Sequence, residues 1–286
     1  MQDKIILIHG PVISPGLNDF TTLYVKPHTD QKALHEQFYA SATIKSNAIS
    51  YRALGYKVIF SGWDEDRSWV EENSNLFDGY TIQNSLELQT KTNFLGKEIQ
   101  NNKEKLYRSC LAGYDLIGNI YNKTSYVFRI RSDISLNPFD VQLEIDKLEQ
   151  HTDSILIEYG NPEKPYFVPD FMLLSTCNVG MLIYSKLTKL CNDGQSYHIS
   201  SHIDHGITFL KLIEQNQVSK IICMNESIQA SIVWRGIPRY LVDVLKEKKT
   251  NLFFNCEIKY PNNRTSEQII NAIPTEFSGR RKGKSI

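Results

Sequence analysis

The side chains of this 286-residue chain that could do chemistry gather at the end of one segment, Tyr126-Val-Phe-Arg-Ile-Arg-Ser-Asp133. A carboxylate such as Asp133 is a hard oxygen ligand for magnesium or manganese. Arg131 beside it can grip phosphate in a bidentate fork. With Ser132 between them, the three suit a diphosphate and the divalent ion that accompanies it. The plainer reading is a strand that closes on a surface ion pair. The segment has the makings of a strand: Tyr126, Val127, Phe128 and Ile130 are aromatic or β-branched and follow the polar run Asn122–Ser125. In open α/β sheets ligands bind outside the carboxyl ends of the strands, which is where these three residues fall.

Other candidates stand at similar places. Lys4-Ile-Ile-Leu-Ile-His9 is a continuous apolar run that ends in Gly10-Pro11, a buried strand with a sharp turn through which backbone can approach a ligand. Tyr56–Trp63 is a second such strand, and Trp63 either stacks on a base or covers core. Asn102, Lys105 and Ser109 share one stripe of a helix, either aimed at phosphate and sugar or forming its wet face. Asp170, after Pro169, and Asp204, at a helix start, are candidate general bases; each also suits a turn or a helix cap. His198, His202 and His205 raise a rival chemistry, a transition metal chelated from one helix as in a metal hydrolase, although no HExxH motif is present.

The elements that must position these residues alternate. A helix is expected over 31–54, closed by Gly55. With the strands on either side it makes a βαβ unit whose strands lie parallel and side by side. Residues 12–30 read as a loop, 76–82 as a poor strand broken at Asp78-Gly79, and 101–120 as a helix. Beyond Asp133 come a helix over 138–150, strands over 154–159, 171–174, 179–183 and 221–224, helices over 186–191 and 202–214, and a strand over 231–233. Such alternation predicts an α/β domain, with a less regular C-terminal part.

Composition narrows the function classes. The chain is 41% hydrophobic and 22% charged, enough for a sizeable core. Its 32 basic and 32 acidic residues leave formal net charge zero, so overall charge gives no reason to expect a nucleic-acid partner. Five scattered cysteines with no CxxC pair read as reduced thiols of a cytoplasmic protein. No apolar run nears the roughly 20 residues that span a bilayer. The basic tail Arg280–Lys284 is a frayed end or a weak peripheral anchor at the inner face of the plasma membrane. The first turn lacks the GxGxxG of dinucleotide-binding enzymes.

Four landmarks in order carry a resemblance: Ile5-Ile-Leu-Ile-His-Gly-Pro11, Val58-Ile-Phe-Ser-Gly-Trp63, the helix from Asn102 to Gly113, and the segment ending at Asp133. Together they resemble the WavE lipopolysaccharide-synthesis family, thought to be bacterial glycosyltransferases of GT-A fold. That implies a Rossmann-type, mostly parallel mixed sheet flanked by helices in one domain. Residues 1–135 would form a nucleotide-binding half, 136–275 an acceptor-binding half and 276–286 a flexible basic tail. It further implies transfer of a sugar from a nucleotide-sugar donor to a glycan or lipid-linked saccharide of a bacterial surface polymer. Gly10, Pro11, Trp63, Asn102, Lys105, Arg131, Ser132 and Asp133 would surround the donor. Asp133 would hold a manganese or magnesium ion, and Asp204 or Asp170 would serve as base. The chain departs from the pattern at Lys105, where arginine is usual, and at Ile203-Asp204-His205, where Glu-Gln is expected. A domain that only binds nucleotide or glycan is the remaining alternative.

Overall fold

A computed structural model describes residues 2–14, 37–85, 91–94, 97–100, 102–160, 166–193, 201–238, 257–258 and 265–271. Its strands are β1 (Lys4–His9), β2 (Ile13–Ser14), β3 (Phe38–Tyr39), β4 (Lys57–Trp63), β5 (Gly79–Gln83), β6 (Lys91–Phe94), β7 (Lys97–Gln100), β8 (Tyr126–Arg131), β9 (Ile134–Ser135), β10 (Ile155–Ile157), β11 (Met172–Thr176), β12 (Ile221–Cys223), β13 (Val233–Trp234), β14 (Ile237–Pro238) and β15 (Glu257–Ile258). The helices are α1 (Ser41–Ala53), α2 (Arg67–Glu72), α3 (Asn102–Ile120), α4 (Pro138–Glu149), α5 (Cys177–Asn192), α6 (Ser201–Glu214), α7 (Glu226–Ser231) and α8 (Ser266–Asn271).

Eight strands form one sheet in the order β15-β12-β10-β11-β8-β1-β4-β5. Six of them, β1, β4, β5, β8, β10 and β12, run one way, and β11 and β15 run against them. The fold is therefore α/β, a mostly parallel mixed sheet flanked by helices in a single domain. The apolar runs of β1, β4 and β8 are explained by burial on both faces. Alternate residues serve opposite cores. Ile6, Ile8, Phe128 and Ile130 pack with Ile44 and Tyr51 of α1 and Val141 and Ile145 of α4. Ile5, Leu7 and Val127 pack with Tyr107 and Tyr114 of α3 and Ile183 of α5. Each fully buried aliphatic side chain contributes about 1.5–3 kcal/mol.

The register sets the functional edge. β1 and β8 run in step to His9 and Arg131, and β4 reaches the same level at Ser61. Because β11 is antiparallel, its start, rather than its end, lies there, with Met172 opposite Ile130. The segment before it, Asp170-Phe171, thus joins the carboxyl ends of the parallel strands.

Three local expectations differ. The helix expected from residue 31 starts at Ser41, since Phe38-Tyr39 pairs with Ile13-Ser14 as a short antiparallel ribbon. It ends as foreseen, with Gly55 at φ +84° after the last turn. The strand expected over 179–183 is part of α5, a helix apolar on several sides because it lies between the sheet and helices α3 and α6. Gly180 in it lets the Tyr114 ring pass so close that a Cβ would stand 2.0 Å from Tyr114 Cε1. Finally, Ser231 closes α7, and the strand begins at Val233. Residues 15–36, His198 and the basic tail lie outside the described residues. Among the described residues no helix is long and apolar enough to cross a membrane.

Candidate active site at the strand ends

Two turns meet where β1 and β8 end. Gly10, at φ +119°, donates its N–H to the Ser61 carbonyl at 3.1 Å, which ties the turn to β4. Ser132 N donates to His9 O at 2.8 Å and Ser132 Oγ to Pro11 O at 2.7 Å. A Cβ on residue 10 would lie 2.8 Å from Ser132 Oγ, so only glycine allows this approach in its ordinary geometry.

Asp133 then turns inward and is only 2% exposed. Arg131 clasps it in a fork, Nε to Oδ1 at 3.0 Å and Nη2 to Oδ2 at 2.7 Å. Two further donors arrive from the β13–β14 hairpin: Trp234 Nε1 at 3.0 Å and Arg235 Nε at 3.4 Å, both on Oδ2. The hairpin turn places Arg235 at φ +51° and Gly236 at φ +75°, the two left-handed residues of a tight two-residue connection. Arg235 N donates to Asp133 O at 2.9 Å and its Nη2 to Ser14 Oγ at 2.6 Å. Burial pushes the Asp133 carboxyl up, but Arg131 first, then Arg235 and the indole N–H, hold it below the usual carboxylate range.

A divalent cation on Asp133 would have to take oxygens that already accept from two guanidiniums and an indole. Among the described residues, no three His, Cys, Asp or Glu side chains come together to hold one. The donor set does not fit a metal held by this carboxylate alone. It fits a carboxylate that fixes two guanidiniums, with positive charge left over for an anion. Arg131, its side chain 27% exposed, is the one that faces outward.

Trp63 ends β4 at the same edge, but is 3% exposed and covers core. Lys105 of α3 places Nζ 5.3 Å from its ring centroid and pairs with Glu65 at 2.9 Å. Of the expected stripe of α3, Ser109 is buried, and its carbonyl accepts from Ser61 Oγ at 2.6 Å. Asn102 opens α3, and its side chain lies outside the described residues. Asp66 accepts from Val12 N at 2.9 Å and Asp64 from Ser85 N at 2.8 Å, so the acidic run after Trp63 ties down neighbouring loops.

The remaining candidates form a second group, between the start of β11 and the first turns of α6. Asp170 accepts from Ser201 Oγ and stands 3.6 Å from His202 Nδ1. Burial raises its carboxyl, but His202, Arg131 and His205 together hold it well below the usual range. Asp204 is 0% exposed and accepts from Lys103 Nζ at 3.1 Å and Tyr107 OH at 2.9 Å. His202 and His205 have separate surroundings. His202 lies beside Phe167 and Phe171, with centroids 4.8 and 6.1 Å away. His205 sits among Tyr107, Tyr184 and Phe209 with Nδ1 2.8 Å from Ser201 O, and burial pushes its pKa down to about 4.

Phe171 joins the groups, with the Arg131 guanidinium 5.0 Å over its ring and Trp234 5.8 Å away. Arg129, wholly buried one step back on β8, donates from Nη1 to Asp170 O at 2.6 Å and lies 3.1 Å from His9 Nε2. Sequence reasoning passed over His9, Phe171, Trp234 and Arg235, and it counted Arg129 with Arg131 as a partner for diphosphate, whereas Arg129 is wholly buried. His9 looks like strand interior. For Trp234-Arg235 the only local signal was the turn-forming Gly236, and nothing in the spacing says that the chain returns there to Asp133.

No family model matches the chain, and no curated protein matches it. Among solved structures, similar chains include a 4-diphosphocytidyl-2C-methyl-D-erythritol synthase from Anaerococcus prevotii, with 12% identity, 84% of this chain and 99% of that one covered, and a TM-score of 0.39. A second structure of a synthase of that name covers 86% of this chain and 99% of its own at 11% identity and a TM-score of 0.42. Mouse xyloside xylosyltransferase 1 in its apo form covers 79% of this chain and 86% of its own at 9% identity and a TM-score of 0.39.

Proposed function

We propose that the chain is a nucleotide-sugar-dependent glycosyltransferase whose donor diphosphate lies at the carboxyl ends of β1, β4 and β8. The observation that carries the reading is the Arg131–Asp133–Arg235 cluster at the edge of a mostly parallel sheet, with Gly10 and Ser132 packed against it. Two guanidiniums against one carboxylate favour a polyanion, and backbone comes close at Gly10. Loss of a nucleoside diphosphate develops negative charge on the leaving group, which fixed cations stabilise in the transition state. Arg131 is the residue that would do so. Gly10, Pro11 and Ser132 would shape the pocket, with Asn102 and Lys105 along its α3 side and Trp63 beneath Lys105 as core. In this reading manganese or magnesium arrives with the diphosphate rather than on a preformed protein site. The four landmarks extend the proposal to the WavE family and a bacterial surface glycan as product, with a lipid-linked or glycan acceptor on the 136–275 side.

The test is a thermal-shift screen against UDP, GDP, CMP and dTDP species, with and without manganese or magnesium, on the wild type and Arg131→Ala. One nucleotide should raise the melting temperature, since a ligand at 100 times its Kd stabilises by about 2.7 kcal/mol. The shift should disappear in Arg131→Ala. A protein that ignores every nucleotide but is stabilised by zinc would overturn the reading and favour the histidine hydrolase.

A further inference from the structure

We propose that the protein binds a small monovalent anion, of the charge and size of chloride, on the buried guanidinium of Arg129, beneath the functional edge and apart from the donor site. Arg129 alternates with Val127 along β8, so it points into the core that α3 and α5 share with the sheet, and it is wholly buried there. A guanidinium carries five N–H donors and accepts from nothing. Nη1 donates to Asp170 O at 2.6 Å and to His9 Nε2 at 3.1 Å. Among the described residues, nothing accepts from Nε or Nη2. These two nitrogens form one side of the guanidinium, the same fork with which Arg131, two residues on, grips Asp133. Arg131 has a carboxylate on its fork, and the protein supplies none to Arg129.

The surroundings offer further donors and little charge. The Arg129 Cζ atom lies 5.8 Å from the centre of the Tyr184 ring, on which Tyr114 stacks at 5.7 Å. The Tyr114 hydroxyl is buried and unmatched as well. His9 repeats the shortage of acceptors. Since a guanidinium only donates, His9 Nε2 accepts and the ring proton sits on Nδ1, where no described residue takes it. Burial pushes the Cys110 thiol up to about 12 and lifts the Tyr114 and Tyr184 hydroxyls above their ordinary range, so all three stay protonated and uncharged beside Arg129. Asp170 gives Arg129 its carbonyl, whereas its carboxylate accepts from Ser201 and faces His202. A water molecule on the fork would satisfy N–H groups but leave the charge, and an uncompensated buried ion costs far more than an unpaired dipole. A halide answers both, since it accepts several N–H bonds, cancels one charge and asks for no donor in return. A divalent oxyanion would bury a second charge with nothing to balance it. The anion steadies the fold under the edge, so the inference stands independently of the transferase reading.

The experiment equilibrates the full chain by dialysis in sodium chloride, sodium bromide or sodium gluconate at one ionic strength and follows thermal unfolding. Screening is then equal in all three, and gluconate is too large for the site. Chloride and bromide should raise the melting temperature by about 5 °C over gluconate, with the saturation of a single site. Arg129→Met, similar in length and uncharged, should melt at one temperature in the three salts. Wild-type crystals grown in bromide give a measurement that does not depend on the variant's folding: an anomalous bromine peak in hydrogen-bond contact with Arg129 Nε and Nη2. Equal melting of the wild type in the three salts overturns the proposal, as does a halide effect that survives in Arg129→Met. So does a fork without the bromine signal, which would make its occupant an ordered water at most.

Discussion

At Asp133 two guanidiniums and an indole N–H close on a single carboxylate, whereas around Asp170 and Asp204 the carboxylates meet histidines, hydroxyls and a lysine. Both groups stand at the same sheet edge and share Phe171. The first keeps permanent charges that no accessible pH removes, because guanidinium stays protonated. The second surrounds groups that can exchange protons. His9 and His205 are held neutral there, chiefly by burial and then by the nearby Arg129 charge. A site that must stabilise a leaving anion and also accept a proton gains from keeping these tasks apart, since a cation beside a base lowers its basicity.

The sharpest way to break the contrast is to remove the carboxylate. Asp133→Ala would take away the carboxylate that balances Arg235, whose side chain is nearly buried, and that accepts from the Trp234 N–H. Stranding a buried charge costs about 3–5 kcal/mol, readable as a fall in the urea midpoint at unchanged m-value. A loss below about 1 kcal/mol would mean that water reaches Arg235 and that the cluster is an ordinary surface pair.

Acid should separate the groups next. His205 has its pKa lowered from 6.5 to about 4, so the unfolded chain takes up a proton that the native fold refuses. Its stabilisation is complete above pH 6.5 and is lost as pH falls toward 4, by roughly 2–3 kcal/mol. His9, lowered in the same sense, adds to this slope. Asp133 and Asp170, also lowered, lose their contribution only below the ordinary carboxylate value of about 3.9. Urea unfolding from about pH 7 to 4.5 should therefore report the histidines of this edge and not its two lowered carboxyls, with Asp66, Asp115 and Glu144, raised chiefly by burial, working in the opposite sense. His205→Phe, which suits the ring cluster of Tyr107, Tyr184 and Phe209, should flatten much of that slope. An unchanged slope would show that His205 titrates freely in the native state.

What could be read from the chain alone follows the same division. β1, β4 and β8 announce themselves because burial on both faces demands uninterrupted apolar runs, and the turn at Gly10-Pro11 and the acid at Asp133 follow directly from where those runs stop. The partners of Asp133 were invisible, since Trp234 and Arg235 lie 101 and 102 positions away and arrive through a short hairpin. Asp204 and His202 were both visible as chemistry on α6, but only packing shows which faces Tyr107 and Lys103 and which faces the aromatic row. The misread stretch 179–183 has one physical cause. A helix buried on several sides loses its amphipathic period and resembles a buried strand over five residues.

Smaller effects sharpen the contrast at its glycines. Gly206, on α6, lies so close to the 166–170 segment that a Cβ would stand 1.9 Å from the Tyr166 carbonyl oxygen. Backbone cannot swing aside as a side chain can, so Gly206→Ala should displace α6 and cost about 2–3 kcal/mol. It should also shift the environment of His202, seen as a changed imidazole signal in NMR spectra, while the Trp234 indole N–H signal stays in place.

Gly10→Ala is the matched change on the other side and should cost less. The new methyl would meet Ser132 Oγ at 2.8 Å, the end of a side chain that can rotate at the expense of its bond to Pro11 O. What rotation cannot relieve is the backbone, which holds φ at +119°, a conformation that costs an alanine about 1–2 kcal/mol. Ser132→Ala combined with Gly10→Ala separates the two contributions. If crowding dominates, removing the hydroxyl should recover most of the loss. If backbone strain dominates, the double variant should remain as unstable as Gly10→Ala. We expect the second result, together with a weakened nucleotide shift, because a turn forced out of this conformation also moves the Pro11 carbonyl and Ser132 away from the Asp133 cluster. Full stability with full nucleotide binding in Gly10→Ala would remove the close approach at Gly10 from the site.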